Sequence, residues 1–156
     1  MARVLAEDAE GEALPREAIA AAIHEIQTLD SSVSTGNAAL DTALTEKRLL
    51  CAHEGITLTC MVDGMTLSAM DTSDLYALAC GLIDEAMEAV RSCKEGNRSI
   101  SISVKRVGGM AHIHVEHDGM SGQPGEVDAI VGHYDGVVTR GSDGDAAFVN
   151  ALIPIP

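Results

Sequence analysis

Three carboxylates lie close together in the second half of one apolar, helix-like stretch of the sequence. Residues 74–90 read DLYALACGLIDEAMEAV, and the carboxylates are those of Asp84, Glu85 and Glu88. Carboxylates spaced in this way can form a solvated helix edge, hold a hard cation such as magnesium, or be the altered remains of a metal or phosphate site. The elements that position this stretch decide between the three interpretations.

A second cluster of candidate ligands is the run HIHVEHD, residues 112–118. It imitates the H-x-H-x-D-H zinc motif of metallo-hydrolases, with Glu116 in place of the aspartate. Such a cluster could hold one or two zinc ions and activate water. One hypothesis is therefore a zinc-dependent hydrolase whose ligands are His112, His114 and His117.

The strand pattern of the same run argues against a catalytic zinc site. In a regular strand the apolar Ile113 and Val115 face the core, so His112 and His114 lie on the opposite face. That hydrolase class also needs further ligands far downstream, where the sequence offers only His133. A solvated sheet face is favoured, although the histidine pair could still bind a metal ion.

The composition indicates one acidic, folded domain. The chain has 156 residues and a hydrophobic share of 46%, which suit a single core. Its formal net charge of -14 would repel a nucleic-acid backbone and an anionic membrane surface, so we expect neither as a partner. The longest apolar run is interrupted by Gly81 and is too short to cross a membrane.

Aromatic residues make up only 2% of the chain, so the core must be aliphatic and filled by methionines. The methionines assigned to it include Met61, Met65, Met70 and Met87. The four cysteines form no C-x-x-C pair and follow no signal peptide, which favours buried, reduced thiols. They are Cys51, Cys60, Cys80 and Cys93.

Apolar periodicity divides the chain into a leader and a series of helices and strands. Residues 1–14 predict a flexible leader, and residues 15–34 predict an N-terminal helix that could serve in dimerisation. Thr72 and Ser73 are the expected caps of the helix over residues 74–90. The other predicted elements are a helix over 40–55, a strand over 56–62, a hairpin over 99–116, a helix over 127–134, and strands over 137–140 and 146–153.

This order allows every helix to cover one face of a mostly antiparallel mixed sheet. The predicted fold class is therefore α+β, a two-layer α/β sandwich formed by residues 35–156.

Four stretches in this order resemble the GHKL ATP-binding domain, which has the Bergerat fold. They are TGNAALDTALTEKRLLCAHEGI (35–56), DLYALACGLIDEAMEAV (74–90), SISISVKRVGGMAHIHVEHDG (99–119) and IVGHYDGVV (130–138). More narrowly, they resemble the catalytic domain of sensor histidine kinases of the Gram-positive peptide-sensing type. The similarity covers residues 35–156 and rests on the joint order and spacing of the motifs.

The resemblance implies that GLIDEAMEA, residues 81–89, matches the family's N-box, typically N-L-L-D-N-A-I-E-A. The second Asn of that motif holds the magnesium that bridges the nucleotide phosphates. Glu85 stands at its position and Gly81 at that of the first Asn, while Asp84 and Glu88 flank the same pocket. Without a tightly held ion, Glu85 would repel triphosphate oxygens by about 1–4 kcal/mol per close charge pair.

The resemblance also implies an adenine-reading Asp or Asn after the strand, followed by glycines. His117 stands at that position and Gly119 keeps one glycine, whereas Asp118 could serve only if the strand slipped by one residue. The family also has a long lid that ends in a phosphate-binding turn at the start of the next helix. In this sequence only residues 118–125 are available for the lid, and Pro124, which has no N–H, lies where that turn is expected. The nucleotide site is thus altered at three separate places.

The favoured hypothesis is a histidine kinase-like ATP-binding domain of two-component signalling that binds magnesium-ATP weakly or not at all and acts as an interaction module. The nucleotide contacts implied by the resemblance are Glu85, His117, Asp118 and Gly119, with Glu85 as the magnesium ligand when nucleotide binds. The alternative is an active magnesium-ATP-dependent histidine kinase domain that uses Glu85. Expected partners are ATP or ADP, other signalling domains and a second copy, in the cytoplasm or on the cytosolic side of a membrane-bound sensor.

Overall fold

The computed structural model describes residues 33–94 and 96–156, which belong to one compact unit, Val33–Pro156. Its helices are α1 (Ala38–His53), α2 (Thr72–Val90) and α3 (Glu126–His133), with a short 3-10 helix at Gly64–Leu67. Its strands are β1 (Thr57–Val62), β2 (Ser99–Val107), β3 (Met110–Asp118), β4 (Val137–Asp143) and β5 (Ala146–Pro154).

The element order predicted from residue 35 onward is confirmed. The leader predicted for residues 1–14 and most of the helix predicted for residues 15–34 lie outside the described residues. No helix in the described part of the chain is long and apolar enough to span a membrane.

The five strands form one mixed sheet in the order β1-β2-β3-β5-β4. β1 runs parallel to β2 because α2 provides the crossover between them, and the other three pairings are antiparallel. The helices lie on one face of this sheet. The fold is therefore the predicted two-layer α/β sandwich of the α+β class.

The core lies between the sheet and the helices, and α2 is its central helix. Alternate residues of the inner strands, such as Ile102, Ile113 and Val149, are buried against it. Leu78 and Leu82 supply the apolar stripe of α2, which contacts β2, β3 and both other helices. One flank of α2 therefore faces α3, next to which β4 forms the sheet edge.

The cap of α2 lies one residue earlier than predicted. Asp71 is the N-cap residue, and its carboxylate accepts hydrogen bonds from the backbone N–H of Ser73 at 3.0 Å and from the Ser73 hydroxyl at 2.6 Å. The assignment of Thr72 and Ser73 as caps was wrong, because both already belong to the first turn.

The assignment of methionines to the core was correct for Met70 and Met87 and wrong for two others. Met61 lies exposed on β1, at one edge of the sheet, and Met65 lies exposed in the 3-10 helix. The alternation of β1 places Met61 on the exposed face with Thr57 and Thr59, so the assignment of Met61 by hydrophobicity overlooked the strand pattern.

The cysteines are also less uniform than predicted. Cys51 is buried, and its burial raises the pKa of the thiol to about 11. The remaining three, Cys60, Cys80 and Cys93, are only half-buried. All four are free thiols.

Gly119 lies where the chain leaves β3 and passes the last turn of α2. Its φ is +92°, and an added Cβ would lie 2.8 Å from the carbonyl oxygen of Ala89. Gly144, in the turn between β4 and β5, has a φ of +68° but nothing within 4 Å of an added Cβ. Both glycines have a left-handed backbone conformation, but only Gly119 lies close to another part of the chain, the last turn of α2.

We predict that Gly119→Ala lowers the free energy of unfolding by about 3 kcal/mol or more, while Gly144→Ala lowers it by about 1–2 kcal/mol. The difference mainly reflects the contact with the α2 carbonyl, since both glycines have a positive φ. Urea unfolding of the two variants provides the values. Equal losses would contradict the close approach of the loop to α2.

Candidate functional site

Glu85 of α2 is held in a bidentate ion pair by Arg140 of β4. Arg140 Nε donates to Oε2 and Nη2 donates to Oε1, both at 2.8 Å. The side chain of Glu85 is only 15% exposed and that of Arg140 only 9%. Both oxygens of this carboxylate therefore have a charged donor in a place largely closed to water.

Asp128, in the first turn of α3, accepts from the same guanidinium. Arg140 Nη1 and Nη2 donate to its two oxygens at 2.9 and 2.7 Å, respectively. Asp128 also accepts from the backbone N–H of Gly125, the N-cap residue of α3, at 3.0 Å. The positive end of the α3 dipole is thus occupied by a carboxylate of the protein. We call these three side chains the Glu85–Arg140–Asp128 network.

The ion pairs shift the pKa values of Arg140 and Asp128. The hydrogen bonds to Glu85, followed by those to Asp128, raise the pKa of Arg140, which stays charged. The hydrogen bond from Arg140 is the main cause that holds the pKa of Asp128 below its ordinary value. A carboxyl with a lowered folded-state pKa stabilises the fold above its ordinary pKa, and this contribution is lost as the pH falls through the lowered value.

The loop between β3 and α3 lies directly on the carboxylate of Glu85. A Cβ added at Gly122 would come within 2.5 Å of Oε2 and 2.6 Å of Cγ of Glu85. Only glycine therefore fits at this position while Glu85 keeps its place. The short segment predicted as a reduced lid, residues 118–125, closes over the carboxylate.

As arranged, these contacts do not fit a magnesium–triphosphate group at Glu85. Magnesium requires oxygen ligands in near-octahedral geometry at about 2.1 Å, and a ligand bond to Glu85 would have to displace Arg140. A phosphate at the start of α3 would meet the carboxylate of Asp128. With two carboxylates and one guanidinium, the network itself carries one net negative charge.

His117 and Asp118 point to opposite faces of β3. His117 is 2% exposed on the helix side, where its Nδ1 donates to the carbonyl oxygen of Asp118 at 2.9 Å and its buried Nε2 has no hydrogen-bond partner. Asp118 instead accepts from the backbone N–H and the hydroxyl of Ser99, both at 3.0 Å. The strand alternation thus separates the two candidate adenine readers.

The other residues assigned to the pocket flank lie apart from the network. Gly81 allows α3 to approach α2, since an added Cβ would lie 2.8 Å from Cγ2 of Val127. Asp84 forms an ion pair with Lys47 of α1 at 2.6 Å, and Glu88 is solvated. Of Asp84, Glu85 and Glu88, it is Glu85 that joins the elements on the α3 side.

The structure also separates the histidines of the predicted zinc site. His112 and His114 lie on the sheet face opposite the helices, whereas His117 is buried on the helix side. Among residues 33–94 and 96–156, no three His, Cys, Asp or Glu side chains come together to hold a metal ion. The hypothesis of a hydrolase site formed by all three histidines was wrong, because an odd spacing turns His117 to the other face.

Sequence reasoning missed Arg140 and Asp128. A carboxylate three residues after Gly125 is a signal of a helix start, and it was available. Nothing in the sequence indicates that either residue meets Glu85, because Arg140 is 55 positions from Glu85 and 12 from Asp128. Only the sheet order brings β4 beside the flank of α2.

No family model matches the sequence, and a search of curated proteins found no match. Among solved structures, the catalytic domain of the histidine kinase ThkA, in a nucleotide-free form, is 12% identical with a TM-score of 0.57, covering 78% of this chain and 93% of that one. The histidine kinase AdeS of Acinetobacter baumannii is 13% identical with a TM-score of 0.58, covering 90% and 80%, respectively.

A third similar structure is the histidine kinase domain from the blue-light activated histidine kinase of Erythrobacter litoralis EL346. It is 14% identical with a TM-score of 0.59, and the match covers 83% of this chain and 69% of that one. At such identities the likeness concerns the fold. The chain has the fold of histidine kinase catalytic domains.

A comparison of two bidentate Arg–Glu pairs tests how much the network stabilises the fold. Arg91 pairs with Glu54 through the same two-bond geometry, but its side chain is 47% exposed. We predict that Arg140→Ala lowers the free energy of unfolding by about 3 kcal/mol, because it leaves two partly buried carboxylates unpaired. Arg91→Ala should lower it far less, since solvent screens the exposed pair.

Chemical denaturation at neutral pH measures both variants. Equal losses in the free energy of unfolding would show that the Glu85–Arg140–Asp128 network stabilises the fold no more than an exposed ion pair does.

Proposed function

We propose that this chain is a histidine kinase-like domain of two-component signalling in which the protein's own side chains fill the nucleotide position. The observation that carries the proposal is the bidentate pairing of Glu85 with Arg140. By resemblance, Glu85 stands where the magnesium ligand is expected, and both of its oxygens already accept hydrogen bonds from a guanidinium. The fold likeness to histidine kinases supports the signalling role.

The network sets the expected strength of nucleotide binding. Magnesium-ATP at Glu85 would have to separate Arg140 from two partly buried carboxylates, and breaking such a pair costs about 3–5 kcal/mol. That cost corresponds to roughly two to four decades in the dissociation constant. We infer that nucleotide binds weakly or not at all, and that the domain acts through contacts with other proteins.

The partners that suit this role are other signalling domains in the cytoplasm or a second copy of the chain. Contact with a basic surface is favoured by the formal net charge of -14.

One observation favours a second candidate, an active magnesium-ATP-dependent kinase domain that uses Glu85. The Nε2 atom of His117 is buried without a partner, at the position that the resemblance assigns to the adenine reader. Because Nδ1 carries the hydrogen donated to the Asp118 carbonyl, Nε2 of a neutral His117 is an acceptor. An adenine amino group could satisfy it.

Calorimetric titration with magnesium-ADP and magnesium-ATP separates the two candidates. For the unchanged protein we predict no binding tighter than about 100 μM, with a 1 mM site corresponding to only about 4 kcal/mol. Binding tighter than this, weakened by Glu85→Ala and by His117→Ala, would contradict the proposal and support the second candidate. Asp143→Ala, which removes an exposed carboxylate at the end of β4, is the charge-matched control.

A further inference from the structure

The sheet face opposite the helices carries three polar side chains that converge on one point. His112 and His114 project from β3, and Asn150 lies directly opposite His114 on β5. Nε2 of His112 is 3.0 Å and Nδ1 of His114 is 2.6 Å from Oδ1 of Asn150. Neither proposed function uses this cluster, which is on the other side of the sheet from Glu85.

The separations resemble those between neighbouring ligand atoms around one metal ion. Ligand nitrogens and oxygens at about 2.1 Å from a zinc-type ion lie roughly 3.0–3.4 Å from one another, depending on whether the geometry is octahedral or tetrahedral. A shift of a few tenths of an ångström at Asn150 brings its oxygen into that range. Both histidine nitrogens thus lie beside one shared oxygen, an arrangement from which three ligands of one metal ion can form.

Two neighbours flank the ring of His114. The stacked ring of Phe148 lies 6.1 Å away, centroid to centroid, with an interplanar angle of 24°. On the far side of the imidazole, Nε2 is 3.5 Å from Oε1 of Glu116. A carboxylate beside the second ring nitrogen is the usual support of a metal-bound histidine, because it fixes the tautomer that presents the lone pair to the metal.

The two contacts of the Asn150 oxygen are hydrogen bonds, since an amide oxygen has two lone pairs and can accept from both imidazole nitrogens. A cation bound there would use the lone pairs of both nitrogens and of the amide oxygen in place of these hydrogen bonds.

We propose that His112, His114 and Asn150 bind a divalent transition-metal ion of the zinc, nickel or copper type. Imidazole nitrogens select these ions over magnesium and calcium, which prefer all-oxygen sites. The acidic chain attracts cations in general, and Glu116 does so locally. Lys105, opposite His112 on β2, is the cationic side chain whose register faces the site and weakens this attraction.

The test is calorimetric titration of the untagged full chain with Zn²⁺ and, separately, with Ni²⁺. The expected result is one ion per chain with a dissociation constant at or below about 10 μM. His114→Ala and His112→Ala should each weaken binding at least about 10-fold, and Glu116→Gln, at an exposed position, should weaken it by roughly 10-fold through the second ring nitrogen.

The matched control is the double variant His53→Ala, His133→Ala, which removes two histidines at the ends of α1 and α3 and should leave the affinity unchanged. Circular dichroism establishes that each variant is folded, and Glu116→Gln keeps both ligating rings. Absence of binding below about 100 μM would overturn the proposal. So would binding that survives His112→Ala, His114→Ala and Glu116→Gln, since the ion would then sit at other ligands such as the cysteines.

Discussion

The guanidinium of Arg140 is the group on which the helix layer around the candidate site depends. It donates hydrogen bonds to two carboxylates that belong to two different helices, and it reaches them from the edge strand β4. Removing it would leave Glu85 and Asp128 to repel each other in a poorly solvated place, which is costlier than the loss of any single hydrogen bond there. Two glycines make this arrangement sterically possible, because Gly81 admits α3 against α2 and Gly122 admits the loop against Glu85.

The fold and the Glu85–Arg140–Asp128 network lead to different expectations about nucleotide binding. The sheet order and helix layer are those of histidine kinase catalytic domains, and a fold by itself does not specify chemistry. Where a magnesium–triphosphate group would need free oxygen ligands and an open helix start, this chain has internal ion pairs. The cluster of His112, His114 and Asn150 lies instead on the other face of the sheet, so the two faces of one strand, β3, present different chemistry.

Local pattern was sufficient to predict the elements, the fold class and the faces of β3. Period-two alternation correctly separated Ile113 and Val115 from His112 and His114, and the helical stripe of α2 was equally clear. It could not predict the network, because the pairing of Glu85 with Arg140 arises from strand order and not from neighbouring residues. The exposed Met61 and the cap at Asp71 were missed although both follow from local pattern, since Met61 alternates with Leu58 in β1 and Asp71 caps α2 through Ser73.

The central claim is that Arg140 stays hydrogen-bonded to Glu85 and Asp128 in the presence of nucleotide. Side-chain Nε–Hε signals in a proton–nitrogen NMR spectrum report this directly, with Arg140→Lys to assign the signal and exposed Arg91 as the internal comparison. The account predicts a solvent-protected Arg140 signal that does not move when magnesium-ATP is added to about 1 mM. A shift or loss of that signal, with Arg91 unchanged, would show that nucleotide displaces the guanidinium and would contradict the account.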